Sequence, residues 1–163
     1  MPIGSGDVEE LAQQMTSAQR LRFKQAVVAQ AIHFVYKLLP PEADDDGHRR
    51  GIRAATRWLK EPSKEVALDV NCEAVAECWD GGVRYHDYPA YFLDPAWVAV
   101  ETDVYKAARK AVNTAPPAER EDALRWQIAS AQAILRGVEP PPLILVTIPI
   151  EGQLRFDVSI AER

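Results

Sequence analysis

The chain is predicted to be mainly α: a single-domain bundle of five to six helices with a C-terminal β-hairpin. Three observations lead there. Apolar residues recur at spacings of three and four through most of the sequence, residues that start and stop helices punctuate those rows, and the tail beyond residue 140 switches to a period of two. The bundle is assigned to residues 1–140 and the hairpin to 141–163. A chain of 163 residues, 47% hydrophobic and 26% charged, has the composition of one globular domain. A core of that size folds without a metal or a disulfide.

A short first helix is expected over Asp7–Met15. At Thr16, "TSAQ" is a capping box, in which the Thr hydroxyl accepts from the first turn while Gln19 reaches back. From there to Leu39 the apolar positions Phe23, Val27, Val28, Ile32, Phe34, Val35 and Leu38 cover more than half the helix circumference. A stripe so wide predicts burial on more than one side, and so a central helix. Pro40 and Pro41 stop it. The third helix is expected from Asp46 to Lys60, burying Ile52, Ala55 and Leu59 with Trp58 beside them.

Pro62 breaks the third helix and Ser63 caps a fourth, whose apolar row is Leu68, Cys72, Val75 and Trp79. Gly81-Gly82 ends it. Asp94-Pro95 opens a fifth helix with Trp97, Val100, Val104, Ala108 and Ala111 on its inner face. "NTAPPAE" interrupts the chain, and the last helix runs to about Arg136, burying Leu124, Ile128, Ala131 and Leu135 before Gly137. Leu143–Ile150 is apolar and β-branched. Leu154, Phe156, Val158 and Ile160 alternate with polar residues, and Glu151-Gly152 reads as the turn between the two strands.

Two charge rows bear on function. Glu65, Asp69, Glu73 and Glu77 recur every four residues on the fourth helix, followed by Asp80. Arg49, Arg53 and Arg57 recur likewise on the third, followed by Lys60. Like charges at that spacing cost about 0.2–0.5 kcal/mol per pair, so each row needs compensation. Two arrangements supply it. A short turn would make the helices antiparallel, setting Arg57 near Asp69 and Arg53 near Glu73 as an interhelical ladder. Alternatively, the acidic row faces a basic protein partner.

The segment "GGVRYHDYPAYFLDPAW" gathers Tyr85, His86, Asp87, Tyr88 and Tyr91 between Gly and Pro residues that forbid a regular helix. Tyr offers contact area at low entropic cost together with a polar tip, which suits an interface. The same rings could plug the core as a connector, and His86-Asp87 has the makings of an oriented imidazole base.

Other chemistry finds no motif. His33, His48 and His86 fall on different elements with no metal-ligand spacing, so neither metal nor cofactor is expected, and no catalytic residue is assigned. No P-loop, dinucleotide fingerprint or nucleophile elbow occurs. Cys72 and Cys78 lie six apart on one helix and read as reduced core thiols. The net charge of -5 argues against nucleic-acid binding. The longest apolar run is too short for a helical membrane span, and the N-terminus does not read as a secretory signal. A cytoplasmic protein is expected.

The segment "VYKLLPPEADDDGHRRGIRAATRWLK" resembles helical immunity proteins of bacterial polymorphic-toxin systems. Its matching features are Leu39-Pro40, the acidic loop Asp44–Asp46, and Arg50, Ile52, Ala55 and Trp58; "ALRWQIASAQAIL" resembles their closing helix. The resemblance covers about half the chain, and the aromatic segment and hairpin depart from the pattern. It implies a non-enzymatic protein that binds another protein. The leading expectation is therefore a protein-binding protein that uses Glu65, Asp69, Glu73 and Glu77 with Tyr85, His86, Asp87, Tyr88 and Tyr91. The alternatives are a small enzyme built on His86 and Asp87, and a structural subunit that forms a homo-oligomer or larger assembly through its hairpin.

Overall fold

The computed structural model describes residues 5–38, 46–63, 66, 95–143, 147–150 and 154–157. The chain is mainly helical. The helices are α1 (Ser5–Gln13), α2 (Ser17–Leu38), α3 (Asp46–Lys60), α4 (Pro95–Val100), α5 (Val104–Asn113) and α6 (Arg120–Leu135), with a 3-10 turn at Pro117–Glu119. Two extended segments, β1 (Thr147–Ile150) and β2 (Leu154–Asp157), are in antiparallel register with Ile150 opposite Leu154. The fourth helix expected after Ser63, with its acidic row, and the aromatic segment from Gly81 to Asp94 lie outside the described residues, as does the turn at Glu151-Gly152.

α2 is the axis of the bundle. Its start carries the expected capping box: Gln19 N–H donates to Thr16 Oγ1 at 3.2 Å, and Thr16 N–H donates to Gln19 Oε1 at 2.9 Å. From Ala26 to Val35 every residue is buried, because α3, α4, α5 and α6 all pack against this helix. α1 lies across α5 and α6 and is tied to α2 where Arg20 Nε donates to the Ala12 carbonyl at 3.2 Å.

α3 buries Ile52, Ala55, Trp58 and Leu59 and turns Arg57 and Lys60 to solvent. Beyond it, Ser63 acts as the expected cap, its Oγ accepting from Val66 N–H at 3.2 Å.

The fifth helix departs from expectation, being two helices rather than one. α4 ends at Val100, and α5 begins after Asp103, whose side chain accepts from Lys106 N–H at 2.9 Å in extended backbone geometry. A carboxylate that satisfies an orphan first-turn donor favours a new start over continuation. The apolar row continues across the break, since Trp97, Val100 and Val104 still pack on the core.

α6 also differs in its inward face. Leu124, Ile128 and Leu135 are only half-buried, while Gln127, Ser130, Ala131 and Ile134 point to the centre. Gly137 ends the helix at φ +71, with Val138 N–H bonded to the Ala133 carbonyl and Gly137 N–H to that of Ile134. These two bonds make a Schellman motif. The chain then turns back along the bundle. Glu139 pairs with Arg22 at 2.9 Å, the Pro141 carbonyl accepts from Trp126 Nε1 at 3.1 Å, and Leu143 enters the core.

Candidate functional site

All nine residues expected to contact a partner, Glu65, Asp69, Glu73, Glu77, Tyr85, His86, Asp87, Tyr88 and Tyr91, lie outside the described residues. So does the acidic half of the expected ladder. Of its basic half, Arg57 and Lys60 are exposed and Arg53 is half-buried; Arg57 and Lys60 make no ion pair with a described residue.

The described residues bring together two polar clusters that the sequence reading did not single out. The first lies inside the bundle. Gln30 on α2 and Gln127 on α6 are each 1% exposed. Gln30 Nε2 donates to the Ala123 carbonyl at 3.0 Å, and Gln127 Nε2 donates to Gln30 Oε1 at 2.7 Å and to the Ala108 carbonyl at 2.9 Å. Backbone carbonyls only accept, so both amide orientations are determined by their partners. The arrangement ties α2, α5 and α6 at one point. Nearby on α6, Ser130 Oγ is buried without a hydrogen-bond partner among the described residues. The available signal was positional: Gln30 falls three after Val27 and Gln127 three after Leu124, both on apolar helical rows.

The second cluster sits where α2 meets α3 and the α4–α5 corner. Lys24 Nζ lies 4.7 Å from the centre of the Trp58 ring, a cation–π contact. Burial lowers its pKa to about 8, and the Glu101 carboxylate opposes that shift. Glu101 is held by Lys110 Nζ at 2.8 Å and accepts from the Asp103 N–H at 3.4 Å. The hydrogen bond from Lys110 is the chief reason that its carboxyl titrates below the ordinary range; burial opposes it, and the charges of Lys110 and Lys106 add to the lowering. Lys24 therefore gives up its proton more readily than a solvated lysine does, while staying mostly protonated at pH 7.

No family model, curated protein or solved structure matches this chain. The residues must speak for themselves. Among the described residues, no group of three or more His, Cys, Asp and Glu side chains is placed to hold a metal, and no helix is long and apolar enough to cross a membrane.

Proposed function

We propose that the protein is a non-enzymatic, cytoplasmic binding protein for another protein, of the immunity kind. In this reading it acts through the acidic row Glu65, Asp69, Glu73 and Glu77 and the aromatic segment Tyr85, His86, Asp87, Tyr88 and Tyr91. The observation that carries the reading is where the buried donors of the described core point. Gln30, Gln127, Thr56 and Thr114 direct theirs to helix carbonyls and to each other. Catalysis in a bundle asks for polar side chains converging on an open space. With these side chains turned into the scaffold, and Ser130 the exception, the surface is favoured as the place of function. The exposure of Arg57 and Lys60 further supports an acidic row available to a basic partner over one neutralised along its whole length.

The test is capture from the native host with the tagged full chain, run beside a variant with Glu65, Asp69, Glu73 and Glu77 all changed to Gln. A basic protein held by the wild type, released by salt and lost with the variant, supports the reading. Capture that neither salt nor the variant alters would overturn it.

A second reading attaches to the tail. The antiparallel register of β1 and β2 favours a hairpin, and Pro149 within β1 suits an edge position. An isolated two-stranded unit is marginal in water, so this hairpin would pack on the bundle or on another chain. Light scattering on the full chain and on a chain ending at Leu143 separates the two: a dimer that becomes a monomer on truncation places the hairpin between chains.

A further inference from the structure

A cleft of about 210 Å³ opens between α1, α5 and α6, with Gln127 among its lining residues. Val8, Val112 and Leu124 form apolar walls. Tyr105 and Arg109 stand at its rim, the guanidinium 5.8 Å from the ring centre. Gln127 lines its floor. Both Nε2 hydrogens of Gln127 are taken by Gln30 and Ala108, while Oε1 has no hydrogen-bond partner among the described residues. A residue 1% exposed thus lines the cleft with an amide oxygen that no described residue engages. Water filling that space would meet the apolar side chains of Val8, Val112 and Leu124 beside the polar ones of Tyr105, Arg109, Asn113 and Gln127, so a ligand that displaces it must itself be part apolar and part polar.

We propose that this cleft binds a small carboxylate carrying an N–H or O–H donor, the donor meeting Gln127 Oε1 and the carboxylate meeting Arg109. The apolar walls take the body that joins the two. Arg109 is exposed and makes no ion pair among the described residues, so its planar fork is open to a bidentate acid. A single cation at the rim of a chain of net charge -5 suits one negative charge better than the two of a phosphate. The volume lies below the ~300–1,000 Å³ of drug-sized sites, which selects a ligand of one ring or a short chain. The inference rests on the cleft alone and stands or falls separately from the protein-binding reading.

Amide chemical-shift titration of the full chain with 3- and 4-hydroxybenzoate tests it. The expected result is saturable shifts confined to residue 8 and to residues 105–113 and 124–127, with a Kd of about 1–10 mM for so small a ligand. Methylating the phenol removes the donor without touching the protein, and the methoxybenzoates should bind about tenfold more weakly. Arg109→Gln should weaken the hydroxybenzoates by about tenfold, leave phenol binding unchanged, and not move the melting temperature. Equal affinity for hydroxy and methoxy compounds would overturn the assignment of Gln127. No saturable shifts, shifts mapping elsewhere, or indifference to Arg109→Gln would overturn the site.

Discussion

Lys24 shows how one buried charge sets a pH dependence. Its native pKa, about 8, lies below the ordinary 10.5, so the folded chain binds that proton less tightly than the unfolded chain does. Below about pH 8 both states are protonated and the group is a net cost. Between about pH 8 and 10.5 the unfolded chain holds more protons, and stability contributed by Lys24 rises with pH. Lys24→Met keeps an unbranched side chain of similar length without the ammonium and should abolish that rise. At pH 7 it should be up to about 1 kcal/mol more stable than wild type, solvent screening keeping the effect small. Urea unfolding at pH 7 and pH 10 checks this, and a variant that keeps the wild-type slope would refute it. Gln30 and Gln127 act differently, since each leaves the other stranded when removed. Gln127→Ala should cost about 2–4 kcal/mol, and a cycle with Gln30→Ala should show coupling of about 1 kcal/mol or more. Additive losses would mean that the two amides are independent. Neither pair was legible as a pair in the sequence. A Gln on an apolar row announces a buried amide, but which amide it meets 97 positions away is a matter of packing.

The elements were legible where their signals are local. Thr16 with Gln19, Ser63 with Val66, and Gly137 beyond the last helix are contacts within a turn, and each forms as its residues dictate. The break between α4 and α5 was missed because the apolar row Trp97, Val100, Val104 runs through it without a fault in period. Asp103 was the only warning: a carboxylate that caps a helix is hard to tell by eye from one on a solvated face. Its value can be measured. Asp103→Ala should cost about 1 kcal/mol, with Asp103→Ser recovering most of it, because the loss is one cap bond. A stability unchanged within error would mean that the break is imposed by packing rather than by the cap. Gly137→Ala isolates the backbone term, since a Cβ there would meet nothing within 4 Å. The expected loss of about 1–2 kcal/mol is then the left-handed conformation alone.

Across the whole molecule, the mainly helical class and the centrality of α2 followed from periodicity and from the width of one apolar stripe. How the chain returns after α6 did not follow, because no short-range signal says that Pro141 will meet Trp126 or that Leu143 will enter the core. Two truncations separate that return from what comes later. Ending the chain at Leu143 keeps both contacts, whereas ending it at Val138 removes them and should cost a further 2–4 kcal/mol or so by exposing a cavity and an indole N–H. Thermal melts that coincide for the two would show the return to be passive. The placement of α2 at the axis has a consequence for how the protein is made. Its apolar residues leave the ribosome early, but Gln30 waits for Gln127, 97 residues later. At about 5–20 residues per second that is an interval of about 5–20 s in which the nascent chain carries a long apolar helix without the last of the helices that cover it. Folding during synthesis therefore cannot finish until the last helix emerges, and for that interval the stretch from Ala26 to Val35 is what a chaperone at the tunnel exit would grip.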